Sequence, residues 1–224
     1  MITVHHLNTS RSQRILWALE ELNIPYEIKR YERDSVTQLA PASLKEVHPL
    51  GKSPVITDSN GDITVAESGA IIEYLIGTYG QGNFIPAIGS EEHRQYVYWM
   101  HFSEGTLMQQ LLLKIIFDKV KTDPMPFFIK PIAKGISDKV MSDYVGPNIK
   151  NNLDYIESHL SESTWFAGES ISGADFQMSF PLEACVAGDV AGSNYPNIKA
   201  YVKRVHARAE YQSALTSGGP YDYA

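Results

Sequence analysis

Hydrophobic periodicity changes once along this chain, and the change bounds what it can fold into. Up to residue 80, short alternating runs mix with helical spacing; after residue 90, every periodic segment repeats at three and four. Between them, "GQGNFIPAIG" from Gly80 to Gly89 gathers glycine and proline without a period. Residues 81–90 therefore read as a linker between a mixed unit at 1–80 and an all-helical one at 91–224.

The first unit can be read element by element. "ITVHHL" alternates as a short strand, and Ile15, Ala18, Leu19 and Leu22 fall on one face of a helix that ends near Asn23, ahead of Pro25. "YEIKRYE" reads as a second strand. Residues 35–50, broken by Pro41 and Pro49, read as loop plus a short irregular helix. Two β-rich runs, Pro54–Thr57 and Asp62–Val65, flank the turn "SNG", and Ile71, Ile72, Leu75 and Tyr79 mark the next helix. The order β-α-β-α-β-β-α makes a small mixed sheet with helices packed on it.

Beyond the linker, Val97, Met100, Leu107, Leu111 and Ile115 form one long stripe, interrupted by the prolines of "TDPMPFFIKP". Leu153, Ile156 and Leu160 carry another helix, with Gly146-Pro147 as either a kink or a boundary before them. In "ISGADF", Ser172 and Asp175 have the spacing of a reciprocal helix cap, with Ile171 and Phe176 as its hydrophobic staple.

Composition excludes several function classes. Lys+Arg 19 against Asp+Glu 26 gives a net charge of −7 without long runs of one sign, so no nucleic-acid partner is expected. The single cysteine, Cys185, lies in apolar "EACVAG", which suits a buried thiol and allows no intrachain disulfide. No apolar stretch reaches the ~18 residues of a membrane span, and "MITVHHLNTS" has no signal-peptide pattern. A cytoplasmic protein without a transmembrane segment is expected.

Three polar clusters exceed what the fold requires. Ser10 and Ser12 precede a helix whose free N–H groups and positive dipole end can stabilise an anion. In "HPLGKSPV", a cis Ser53-Pro54 bond would expose the backbone of Ser53 to an extended peptide ligand, with Lys52 beside it for a carboxylate. In "AES", Ser68 and the helix start suit a carboxylate while Glu67 suits an ammonium. Each cluster alone is also an ordinary cap or a solvated side chain. Together they describe a ligand with an amino-acid end, a second carboxylate, peptide atoms between and an anion near Ser10, which is the chemistry of glutathione.

The segments "SRSQRILWALEEL", "HPLGKSPVI", "AESGAIIEYL" and "FAGESISGADF" occur in an order that resembles the soluble glutathione transferases. The likeness is greatest to the bacterial and fungal group whose yeast member is membrane-associated. It implies an α/β thioredoxin-like N-terminal domain followed by an all-α C-terminal domain, and transfer of glutathione to electrophilic small molecules in detoxification. It implies that Ser53 pairs with the cysteinyl backbone, Lys52 meets the glycine carboxylate, and Glu67 with Ser68 holds the γ-glutamyl end.

The resemblance also implies a homodimer, glutathione as co-substrate, a hydrophobic electrophile as partner, and no metal or other cofactor. For the sulfur, Ser10 with Arg14 reproduces the spacing of the serine-type enzymes, so Ser10 is the expected catalytic hydroxyl. A register shifted by one would instead place Arg11 at the position of the cysteine-type residue; Arg11 is an electrostatic assistant or competitor, and Ser12 a third candidate. His5 and His6 are expected to be structural. The electrophile pocket is expected on the first long helix after the linker, where His101, Glu104, Gly105 and Met108 share a face at helical spacing. Two other readings use the same site: reduction of peroxides or disulfides by glutathione's own thiol, and a non-enzymatic binding or regulatory role.

Overall fold

A computed structural model describes residues 1–224. Four strands, β1 (Ile2–Leu7), β2 (Tyr26–Tyr31), β3 (Val55–Asp58) and β4 (Ile63–Ala66), form one mixed sheet in the order β2-β1-β3-β4. β1 runs parallel to β2, with Ile2 opposite Tyr26, and antiparallel to β3, with Ile2 opposite Asp58. The parallel pair needs a crossover, which α1 (Gln13–Glu21) supplies. Both strands of the β3–β4 hairpin begin one residue later than the alternation predicts. Pro54 has no N–H for the ladder, and Asp62 is taken by the turn at φ +55°.

Between β2 and β3 the irregular helix is a single 3-10 turn, Ala42–Glu46, and α2 (Ser68–Tyr79) closes the unit. The helical part comprises α3 (Glu91–Phe102), α4 (Met108–Thr122), α5 (Lys130–Val140), α6 (Gly146–Glu162), α7 (Gly173–Ala187), α8 (Pro196–His206) and α9 (Ala209–Gly218). α1 packs against α7 and α9, so Leu16 and Trp17 join Phe176 and Tyr211 in one core that runs through both parts. The cap at Ser172 forms in both directions, and the Asp175 carboxylate also accepts from Phe166 N–H at 3.0 Å.

Two π-turns were not anticipated. Ser103–Leu107 joins α3 to α4, and Met141–Val145 joins α5 to α6, so Gly146-Pro147 lies at the exit of a π-turn inside one continuous helical run. Each π-turn inserts one residue into the α-helical ladder and rotates everything downstream by about 100°. Of the expected stripe, Met100, Leu107 and Leu111 are buried, on both sides of the first π-turn, while Val97 and Ile115 at its two ends are exposed.

Candidate functional site

A cleft of about 700 Å³ opens where the β1–α1 loop, residues 38–54, the β4–α2 junction and the start of the α4 run meet. Arg11, Lys52, Ser53, Glu67 and Ser68 all line it, as do Arg33, Glu104 and Leu112.

The Ser53-Pro54 bond is cis. Ser53 stands just before the ladder, which starts at Val55, and its hydroxyl donates to the His5 carbonyl at 3.1 Å. That bond pins the side chain, and Ser53 lines the cleft with exposed Lys52 beside it. At the opposite end, Glu67 holds φ +71° and ψ 122°, a left-handed conformation that costs a non-glycine residue about 1–3 kcal/mol. The chain turns sharply there, and α2 starts with buried Ser68 under the exposed Glu67 carboxylate.

Ser68 is held from beneath. Its Oγ accepts from Gln177 Nε2 of α7 at 3.2 Å and from Arg14 Nη1 of α1 at 3.4 Å, so its own proton remains for a ligand oxygen. Arg14 is fully buried, and its Nη2 donates to Glu104 Oε1 at 3.0 Å. Arg11 Nε donates to both oxygens of the same carboxylate at 2.9 Å. Burial alone would raise the Glu104 carboxyl; Arg14 and then Arg11 overcome that and hold it below the usual carboxylate range. Both guanidiniums also lie over the Phe180 ring, at 5.5 Å and 5.2 Å.

Ser10 is placed differently from the expectation. It is buried, its hydroxyl donates to the Leu7 carbonyl at 2.8 Å and lies 2.8 Å from Ser12 Oγ, and it does not border the cleft. Ser12 occupies the N-cap position of α1 without capping it; its hydroxyl instead meets His6 Nδ1 at 2.9 Å. Burial, with help from Arg30, pushes His6 down to about 4, so a neutral imidazole anchors this inward hydroxyl pair. His5 is likewise tied into the sheet through Tyr31 OH at 3.0 Å. Turning both serines inward leaves the intervening Arg11 at the cleft surface.

The residues expected on the electrophile side lie apart from this cleft, Glu104 excepted. His101 is exposed and Met108 belongs to the core; neither borders the cleft. The π-turn lies between them, so the 3.6-residue spacing that put them on one face does not apply. A Cβ on Gly105 would meet nothing within 4 Å, so this glycine is not there for close approach within the chain. Glu104, at the π-turn, is the residue of that face that reaches the cleft. Arg33, Gln177 and Phe180 had no local signal. Gln177 and Phe180 sit in a helix whose residues are buried nearly all round, where periodicity singles out no face.

The comparisons place this geometry in a family. The description "Glutathione S-transferase, N-terminal domain" matches residues 10–77, and "Glutathione S-transferase, C-terminal domain" matches 118–209. A protein of Schizosaccharomyces pombe named Glutathione S-transferase 3 is 40% identical over 209 residues, covering 93% of this chain and 84% of its own length. The chain belongs to the glutathione S-transferase family. Glutathione S-transferase 1 of Saccharomyces cerevisiae is 33% identical over 96% of this chain and 94% of its own. The crystal structure of a glutathione S-transferase from Actinobacillus pleuropneumoniae superposes with a TM-score of 0.82 at 34% identity, over 100% of this chain and 95% of that one. The N-terminal glutathione S-transferase match contains every cleft residue that the sequence assigned to glutathione: Arg11, Lys52, Ser53, Glu67 and Ser68. Glu104, which joins Arg11 to Arg14, falls between the two matched segments.

Proposed function

We propose that the cleft binds glutathione and that the enzyme transfers its sulfur to an electrophilic carbon. The observation that carries this reading is the convergence of Arg11, Lys52, Ser53, Glu67 and Ser68, from three separated stretches of chain, on one cleft. Lys52 takes the glycine carboxylate, the Ser53 backbone the cysteinyl unit, and Ser68 with Glu67 the γ-glutamyl carboxylate and ammonium.

The inward bonding of Ser10 supports Arg11 as the group nearest the sulfur. Arg11 and Arg14 against Glu104 count +2 − 1 = +1, a surplus cation at the start of α1. Lowering a thiol pKa by ~2 units requires about 2.7 kcal/mol of preferential anion stabilisation, within reach of one guanidinium contact and a helix terminus. The thiol gives its proton to solvent, the sulfur lone pair forms the S–C bond, and the leaving group departs with its electrons. The chain's own thiol takes no part: Cys185 is buried, and burial pushes it up to about 12. That favours conjugation over disulfide exchange through a protein thiol.

A cytoplasmic detoxifying homodimer completes the reading; no helix is long and apolar enough to cross a membrane. Sedimentation checks the dimer. For the chemistry, one preparation is assayed with glutathione and an aryl halide, then with an organic hydroperoxide. Conjugation is expected, and Arg11→Ala should lower kcat/KM by about 10²-fold while Ser10→Ala lowers it less. Hydroperoxide turnover without conjugation would replace the transferase reading, and an unchanged Arg11→Ala would remove Arg11 from the sulfur.

A further inference from the structure

The cleft holds more positive charge than glutathione uses. Arg11, Arg33, Lys45 and Lys52 line it against Glu67 and Glu104, and buried Arg14 shares the Glu104 carboxylate, so the count is 5 − 2 = +3. Glutathione with its thiol ionised carries two carboxylates, a thiolate and one ammonium, which offsets two of those three charges. One cation is left without a ligand group.

Arg33 is the cation whose place is fixed and whose use is unassigned. Its backbone N–H donates to Asn8 Oδ1 at 3.0 Å, its Nη1 to the Gln38 carbonyl at 3.1 Å and its Nη2 to the Thr9 carbonyl at 3.4 Å. All three acceptors are neutral, and neither neighbouring acid supplies a counter-ion. Asp34 Oδ1 is engaged by the N–H groups of Val36 and Thr37 and by the Thr37 hydroxyl, and Glu32 lines a separate small cavity. The guanidinium spends two of its five N–H groups on the carbonyls and keeps three for an acceptor in the cleft.

Thr9 stands two residues before Arg11, so the bond to its carbonyl ties Arg33 to the β1–α1 loop, the side on which Arg11 meets the sulfur in the proposed complex. Lys45, by contrast, is exposed and lies along Gly51, where a Cβ would come within 2.7 Å of Lys45 Cγ. Its charge therefore joins Lys52 at the end assigned to the glycine carboxylate. We propose that Arg33 is a specificity-determining residue that receives an anionic group of the second substrate. The substrate class is an electrophile bearing a carboxylate on the skeleton that accepts the sulfur. The inference rests on the glutathione reading and extends it to the partner molecule.

Kinetics with a chlorodinitrobenzoate and the matching chlorodinitrobenzamide test it, at saturating glutathione and with each rate divided by the uncatalysed one. In both, the sulfur displaces chloride, which leaves with its bonding electrons; the two molecules differ by one charge. In the wild type, kcat/KM for the benzoate is expected to exceed that for the benzamide by about 10-fold. Arg33→Gln should remove that advantage and leave the benzamide within about twofold of wild type. Arg33→Lys should keep part of it, and Val36→Ala, at an exposed side chain of the same loop, should change neither substrate. An advantage that survives Arg33→Gln overturns the proposal, and so do equal losses for both substrates, which would make Arg33 a support of the loop or of glutathione. Conjugation of the benzamide with no benzoate advantage in the wild type overturns this inference and leaves the transferase reading standing. Turnover of neither substrate overturns both.

Discussion

Arg11 and Glu104 form a two-point contact in which one guanidinium nitrogen faces both carboxylate oxygens at 2.9 Å, across the boundary between the sheet-bearing part and the helices. The same carboxylate neutralises Arg14, whose side chain is 0% exposed. Replacing Glu104 by Gln removes the charge that makes Arg14 tolerable in the core and leaves Arg11 without a tether. Glu104 is about one-third exposed, so solvent screens part of the loss; a destabilisation of about 2 kcal/mol is expected by denaturant titration. If Arg11 serves the sulfur as proposed, conjugation should fall as well, because Arg11 then loses the tether that holds it at the cleft.

Ser68 offers its remaining proton from a hydroxyl fixed by Gln177 and Arg14. In the proposed glutathione complex Ser68 gives one charge-assisted bond to the γ-glutamyl carboxylate, equal in the bound and transition states, and Ser68→Ala deletes it. The glutathione KM should rise about 10-fold with kcat nearly unchanged. Gln177→Leu, which touches no ligand, should move KM in the same direction by a smaller factor. Steady-state kinetics with glutathione as the varied substrate separates the two.

His6 makes stability depend on pH. In the unfolded chain its imidazole titrates near 6.5, in the folded protein near 4. Between those values the unfolded state binds the proton and the folded state does not, so stability present above pH 6.5 is lost as pH falls towards 4, by up to about 3 kcal/mol. Asp175, pushed up to about 6 by burial, works in the opposite sense as it is neutralised, so the quantity to measure is a difference. His6→Asn, which keeps an acceptor for Ser12, should cost stability at pH 7 and progressively less at pH 5. A gap independent of pH would contradict the neutral imidazole.

Gly146 exits the second π-turn with the Met141 carbonyl oxygen 2.7 Å from where a Cβ would be. That oxygen is backbone and cannot rotate away. Gly146→Ala should therefore destabilise by about 2 kcal/mol even though alanine is the better helix former, whereas Gly105→Ala, with open space around it, should be neutral or stabilising. Thermal melts of the two variants provide the contrast.

The sequence by itself determined the features set by short-range physics. The hairpin around "SNG", the reciprocal cap of Ser172 with Asp175, and the polar junctions at Lys52-Ser53 and Glu67-Ser68 depend on a few adjacent residues, whose dihedral preferences and hydrogen bonds are written locally. Only the tertiary structure turned Ser10 inward and left Arg11 on the cleft, because the partner that draws the serine pair in is a neutral His6 whose state follows from burial in the assembled sheet. The cleft face after the linker was out of reach for a related reason. Extrapolating helical spacing assumes an unbroken ladder, and the π-turn at Ser103–Leu107 adds one residue, which moves Met108 into the core and brings Glu104 to Arg11.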